Sequence, residues 1–567
     1  MAGETTKPAI EPTLDAYRFH DREWDGYDEL REAFEWEVPE RFNIATYLCD
    51  RWAAAEPDRL AVIAVGADST DTEYTYGRLH GTANRLANSL ADRGIEAGDR
   101  VAVSGAQKVA FLAAHLAAWK LGAVSVPLSI LFGPEGLGHR LADSGASAFV
   151  ADGAALPALR EAEADCDALE TILAVGDAPT ESGETPFRDA VDGRSAEFET
   201  APTNAEEPAT IVYTSGTTGP PKGVVHPHRS LLGVLPSHVL QARNLELRAD
   251  DLVYSPAEWS WIGPLYQGVL ASLYYGTPVL GDAVQFDPER TFELIDRYDV
   301  SFIGGATTVY RMMMQVPEPE RYDLSSLRVV LGAGETLGQS VVEWWRETVE
   351  GVAVHEAYGQ TEASVLCGDC EALGIAHEPG RMGKALPGME VRTVDPETNA
   401  PAEDGAVGEL AARYEGNPVC FEEYWNAPEK TARKVQDGWL FTEDVGSRAE
   451  NGYLSFHSRA DDVIVSSGYR IGPAEIEECP ADHEAVANAG AIGVPDETRG
   501  EIPKAFVQPA ADVEPGADLE AELADHVRSR LAKYEYPRAM AFVDELPLTT
   551  TGKVRRHDLR EREGLVE

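Results

Sequence analysis

Residues 213–225 read YTSGTTGPPKGVV, a run of glycines and hydroxyls with a lone lysine between two apolar, β-like flanks. Glycine lets successive backbone N–H groups converge on an anion, hydroxyls add donors and Lys222 adds charge, so the chemistry such a loop could do is phosphate binding, with an ordinary polar hairpin loop as the alternative while it is taken alone. The G-x-x-x-x-G-K-[ST] spacing of nucleotide-hydrolysing switches is absent. Four further stretches could serve one nucleotide reaction. YGQTE (358–362) follows the strand-like VAVHEA and ends in a hydroxyl beside a carboxylate. GWLFTED (438–444) sets an acid at a strand tip, suited to gripping ribose hydroxyls. SRADDVIVSSGYRIGPAEIE (458–477) carries two arginines and two adjacent aspartates, and TTTGKVRR (549–556) puts a lysine after glycine near the carboxyl end. No Ser/His/Asp or Cys/His constellation emerges among the 13 histidines.

The elements that must position these residues alternate along the chain. DRVAVSG reads as a strand, VAFLAAHLAAWKLG as a helix and AVSVPL as a second strand, together a βαβ unit. A polar stretch over 176–208 reads as a surface excursion. Alternation resumes through DLVYSP, GTPVLG, VSFIGGA, LRVVLGAG and VVEWWRETV, which argues for an α/β body with largely parallel sheets. Beyond about 385 the texture is β-like, with strands in MEVRTVD and GELAARY and a hairpin turning at Asn451-Gly452. From 461 an α+β pattern appears: NAGAIGVPD and IPKAFVQP are strand-like, and Leu519, Leu523, Val527 and Leu531 recur at helical spacing. The expected organisation is an acidic, aromatic arm over 1–44, a large unit over 45–460 whose part from about 385 is β-rich, and a small unit over 461–567.

Composition narrows the function classes. Acidic residues outnumber basic ones 97 to 48, for a net charge of −49, and lysine occurs at only ten positions. Nucleic-acid binding needs a basic footprint, and anionic membranes would repel this chain. The acids are spread throughout, as on a surface adapted to high salt, where the Debye length falls to about 3 Å at 1 M. Six scattered cysteines suit a reducing cytoplasm, with the Cys367/Cys370 pair expected as packing thiols. Neither a signal peptide nor a membrane span is expected; the most apolar segment, 109–132, is interrupted by His115 and Lys120. A cytoplasmic protein follows, its oligomeric state left open.

In this order the motifs resemble those of the AMP-forming acyl-CoA synthetases of the adenylate-forming superfamily, which also holds firefly luciferases and peptide-synthetase adenylation domains. The resemblance runs from about residue 45 to the end. It is strongest to the medium-chain branch, in DDVIVSSGYRIGPAEIE, YEYPR and TTTGKVRR. It implies two α/β sheet subdomains plus a small β-barrel-like subdomain, then a mobile α+β domain, and the substrates ATP and CoA with Mg²⁺. It also implies roles for residues. Thr214, Ser215, Gly216, Thr217, Thr218, Gly219 and Lys222 would wrap the β- and γ-phosphates. Gly334, Glu335 and Thr336, with Glu356, Ala357 and Tyr358, would line the adenine pocket. Thr361 would approach the α-phosphate, Glu362 would hold Mg²⁺, and Asp444 and Arg459 would bind the ribose. Lys553 would reach the α-phosphate, where the acid's own carboxylate is the nucleophile. Asp461 would be the hinge about which the small domain swings before CoA attacks. Ser467, Gly468, Tyr469, Arg470, Arg499, Arg528 and Tyr536 would contact CoA. Ser458 and Glu443 stand where the family usually has glycine.

The resemblance also locates an acyl pocket at Trp261, Ile262, Gly263, Ala333 and Gly359. Acetate-specific relatives close the pocket with tryptophan at the Gly359 position. Several small residues here imply a medium-chain or branched acid, since each buried CH₂ contributes about 0.8 kcal/mol. Trp259 turned inward would shorten the pocket, so a short-chain (acetate, propionate, butyrate) ligase stays open, as do an aryl-CoA ligase, a luciferase-like or carrier-loading enzyme and a non-catalytic nucleotide sensor.

Overall fold

The computed structural model describes residues 14–162, 166–177, 179–214, 221–395, 398–459, 462, 464–466, 469–496, 499–511, 513–528, 536–549 and 553–565. The expected βαβ unit forms: strand Arg100–Ser104 lies parallel to Val124–Leu128, joined by helix Val109–Leu121. That helix is apolar on every side because it is buried on nearly every side, His115 and Lys120 included. Its eight-stranded sheet includes the antiparallel pair Pro208–Thr214 and Lys222–Pro227, in register Thr214↔Lys222, with Glu423–Tyr424 as the edge strand beyond them. The phosphate-type loop is therefore the connection between two antiparallel strands.

A second sheet of nine strands runs parallel through Val253–Tyr254, Phe302–Gly305, Val329–Ala333 and Ala353–Gln360. Strand Ala353–Gln360 then reverses through Thr361–Ala363 into Ser364–Gly368, an antiparallel neighbour. Between 391 and 459 a five-stranded antiparallel sheet includes Trp439–Arg448 and Leu454–Arg459, whose connection turns at Gly452 (φ +85°), the position the sequence marked. The last sheet pairs Val486–Asp496 with Gly500–Pro509, and helix Ala517–Arg528 buries Leu519, Leu523 and Val527. Leu531 lies outside the described residues.

One expectation needs correction. The polar stretch over 176–208 is not wholly an excursion: it holds strand Glu184–Pro186, which forms the edge of the eight-stranded sheet, and helix Phe187–Val191 with Ala190 and Val191 buried. Three residues of strand are too few to show a period of two. Residues 14–40 lie on the body. Tyr17, Phe19 and Leu30 are buried, Tyr27 Oη donates to the Ala385 carbonyl (2.7 Å), and Trp36 Nε1 donates to that of Gly388 (2.9 Å). All six cysteines are free, and Cys367 and Cys370 are both buried. Burial raises both thiols, Cys370 to about 12, which leaves them as packing groups. No helix of the described residues is long and apolar enough to cross a membrane.

Candidate active site

The site assembles where the nine-stranded sheet, the antiparallel 391–459 sheet and the carboxyl-terminal segment meet. In the antiparallel pair Trp439–Arg448 and Leu454–Arg459, Asp444 stands directly opposite Arg459, so register alone brings acid and base together. Arg459 Nη1 donates to Asp444 Oδ1 (3.0 Å) and Tyr358 Oη to Oδ2 (2.6 Å). Burial raises the Asp444 carboxyl above its ordinary value, while Arg459 and the Tyr358 hydroxyl pull it back.

Glu443, one of the two departures from glycine, has φ +62°, the left-handed backbone that glycine adopts without strain. Its backbone N–H donates to Glu409 Oε1 (2.9 Å), and its carboxylate pairs with Lys434 (3.4 Å) and Arg459 (3.3 Å). The chain thus keeps the glycine geometry and uses the side chain to brace the arginine. Ser458, the other departure, is buried opposite Val445.

Lys553 reaches this group from the carboxyl-terminal segment. Its Nζ lies 3.8 Å from where a Cβ would stand on Gly334, a residue at φ +90°. Desolvation lowers the ammonium from its ordinary value, and the carboxylates of Glu335 and Asp444 oppose that fall. The residue nonetheless stays exposed overall. Glu335 is raised by burial, and Thr308 Oγ1 donates to its Oε2 (3.0 Å). Glu356 is buried, its Oε2 accepting from the Leu337 N–H (3.1 Å). Desolvation and the neighbouring Asp369 push the Glu356 carboxyl well up. Ala357 is buried, and Thr336 is partly buried at the rim.

At the phosphate end, Lys222 Nζ lies 5.1 Å from the ring centroid of Tyr424, and Tyr424 Oη donates to Glu362 Oε1 (2.5 Å). Tyr424 thereby bridges the lysine of one motif and the carboxylate of another. Its strand, Glu423–Tyr424, pairs with Lys222–Pro227, and no motif announced it. Thr361 opens the turn after Gln360, and Thr214 closes the strand before the loop. Ser215, Gly216, Thr217, Thr218 and Gly219 lie outside the described residues, as do Asp461, Ser467 and Gly468. Among the described residues no three His, Cys, Asp or Glu cluster around a metal position. A Mg²⁺ held by one carboxylate, phosphate oxygens and waters needs no such cluster, so Glu362 fits that ion.

The remaining residues form two groups. Tyr469 and Arg470 belong to strand Tyr469–Ile471, and the register Ser466↔Gly500 brings Arg499 beside that turn. The guanidinium of Arg528 lies 5.9 Å from the Tyr536 ring centroid and pairs with Asp525 (3.0 Å). At the expected acyl pocket, Trp261 makes an edge contact with Phe132 (6.3 Å), and Trp261, Ile262, Gly263 and Ala333 are partly buried. A Cβ on Gly263 would meet nothing within 4 Å. Trp259 is buried with its ring against Gly281 and does not fill that space. A Cβ on Gly359 would stand 1.6 Å from the Ser364 carbonyl oxygen. The backbone of the reversing turn therefore demands this glycine, whatever acid is bound.

The chain matches the AMP-binding enzyme model over residues 49–425 and the AMP-binding enzyme C-terminal domain over 475–553. It is 34% identical over 538 residues to the mitochondrial acyl-coenzyme A synthetase ACSM4 of Mus musculus, covering 93% of this chain and 91% of that protein. An acyl-CoA synthetase of Brucella canis is 33% identical, with a TM-score of 0.73 over 95% of this chain and 99% of that one. The anthranilate CoA ligase AuaEII, solved in complex with anthranoyl-AMP, is 26% identical with a TM-score of 0.86, over 93% of this chain and 98% of that one. The chain belongs to the AMP-binding enzyme family, in its AMP-forming acyl-CoA synthetase branch.

Proposed function

We propose that this enzyme joins ATP to a medium-chain or branched carboxylic acid and passes the acyl group to CoA. The observation that carries the reading is the approach of Lys553 to Gly334, Glu335 and Asp444, next to the residues expected around adenine and ribose. A carboxylate oxygen of the acid attacks the α-phosphorus in line, and pyrophosphate leaves. Charge builds on the equatorial oxygens, so the protein's share is positioning and electrostatic stabilisation. Lys553 and Thr361 serve the α-phosphate. Lys222 and the 214–219 loop hold the leaving pyrophosphate, while Asp444 and Arg459 hold the ribose. Mg²⁺, when bound, neutralises phosphate charge, with Glu362 as its protein carboxylate. In the second half-reaction the CoA thiolate attacks the acyl carbonyl, the bond to the AMP oxygen breaks, and AMP departs. Ser467, Gly468, Tyr469, Arg470, Arg499, Arg528 and Tyr536 are the proposed CoA contacts, with Asp461 the hinge between the two arrangements.

The open space at Gly263, with Trp259 turned away, supports an acid longer than acetate. An aromatic acid is the second reading, favoured by the TM-score of 0.86 to an anthranilate ligase. The testing experiment is acid-dependent exchange of labelled pyrophosphate into ATP, then CoA-dependent AMP release, over a panel from acetate to octanoate with benzoate included. The reading expects hexanoate or octanoate to show the highest kcat/KM. Acetate far ahead of both would overturn the chain length, and absence of exchange with any acid would overturn the reaction. A high-salt cytoplasm is the proposed setting for the charge of −49.

A further inference from the structure

A cavity of about 300 Å³ adjoins the residues expected around adenine, and its lining includes Thr336, Glu356, Arg381, His457 and Glu478. Of the lining residues Glu478 alone comes from the segment beyond 459; it stands on helix Pro473–Ala481. The end of that helix is tied to the large unit by a hydrogen bond from Ser340 Oγ to Asp482 Oδ1 (2.8 Å). Glu478, partly buried, faces the Thr336 hydroxyl and the buried Glu356 across the seam, so docking of the carboxyl-terminal segment brings a second carboxyl group up to that of Glu356.

We propose that Glu478 is a positioning residue that docks the carboxyl-terminal segment in its protonated form, so that the arrangement presenting Lys553 takes up one proton. This rests on the reading that the Lys553-in arrangement forms the acyl-adenylate. The charged groups around Glu478 are Arg311, Glu356, Arg381 and His457 from the large unit, and Glu477 and Asp482 from its own helix. Burial is the largest influence and carries the Glu478 carboxyl to about 7; Thr336 and Arg311 oppose it, and Asp482 and Glu477 add to it. Undocked and hydrated, the same carboxyl returns toward its ordinary value of about 4.3. Between these values the docked form holds a proton that the undocked form lacks, so this contribution to docking is full below about pH 4.3, falls as pH rises, and is gone above about pH 7.

The test is pyrophosphate exchange at subsaturating ATP, from pH 5 to 9, beside thioester formation from preformed acyl-adenylate, in the enzyme and Glu478→Gln. The parent should lose exchange as pH rises from 5 to 7, with a limiting slope of tenfold per pH unit, and level off above pH 7, while thioester formation lacks this limb. Glu478→Gln should keep exchange to pH 9, several-fold above the parent. Thr336→Val, which removes a group favouring the ionised carboxylate, should move the limb to higher pH and serves if the glutamine variant does not fold. Parallel profiles for parent and Glu478→Gln, an unmoved limb in Thr336→Val, or the same limb in both half-reactions would overturn the proposal. Absence of acid-dependent exchange at every pH would instead overturn the reaction itself.

Discussion

Desolvation lowers the Lys553 ammonium from its ordinary value, and the carboxylates of Glu335 and Asp444 oppose that fall. An α-phosphate would do the same more strongly, which is the physical case for a lysine here. Lys553→Ala should lower adenylation by about 10²–10³, the usual loss for one donor at developing charge. Thioester formation from preformed acyl-adenylate should be largely kept; equal loss in both halves would remove the role given to this residue. Glu443 offers a separable test. Its left-handed backbone costs about 1 kcal/mol that glycine would not incur, while its pairing with Arg459 is half exposed and screened. Glu443→Gly should therefore raise unfolding stability by about 1 kcal/mol in urea, yet raise KM for ATP a few-fold as Arg459 loses its brace. Lower stability together with an unchanged KM would contradict both halves of that account.

The reversing turn that ends strand Ala353–Gln360 shows what a sequence reveals of an element and what it hides. YGQTE, ordinary by itself, was legible as chemistry because it stands in order with the four other motifs. That Gly359 is fixed by the Ser364 backbone was not legible, because the clash involves residues on two strands joined by a bulge. The roles of Asp444 and Arg459 were implied by the resemblance, but their pairing was not legible: the Asn451-Gly452 turn alone would set Asp444 opposite Ser458, and a bulge between Val445 and Gly446 shifts it to Arg459. Tyr424, which bridges Lys222 and Glu362, escaped because two-residue strands carry no periodicity and its partners lie far off in sequence. Glu478 escaped for the same reason, since its environment is made by another unit. Two substitutions separate backbone need from substrate space. Gly359→Ala should cost several kcal/mol of stability or abolish folding. Gly263→Val should leave thermal stability nearly unchanged and shift the kcat/KM optimum toward shorter acids. An unaltered chain-length profile in Gly263→Val would place the acyl chain elsewhere.

At the scale of the whole molecule, net charge and hinge make independent demands. A chain at −49 repels itself, and that repulsion fades once the Debye length falls to about 3 Å at 1 M salt. The thermal midpoint should rise on going from 0.1 M to 2 M KCl; a flat or falling midpoint would contradict the high-salt setting. If Asp461 is the proposed hinge, Asp461→Pro should freeze it, sparing adenylation and suppressing thioester formation, the reverse of Lys553→Ala. The claim beneath all of this is that the acid's carboxylate attacks the α-phosphorus and is later released as acyl thioester. Tracing oxygen tests it most directly. With octanoate labelled by ¹⁸O in its carboxylate, ATP, CoA and enzyme, mass spectrometry of the products should find one ¹⁸O in the phosphate of AMP and none in pyrophosphate. Label in pyrophosphate or inorganic phosphate, or AMP released without label while acyl-CoA forms, would contradict the account.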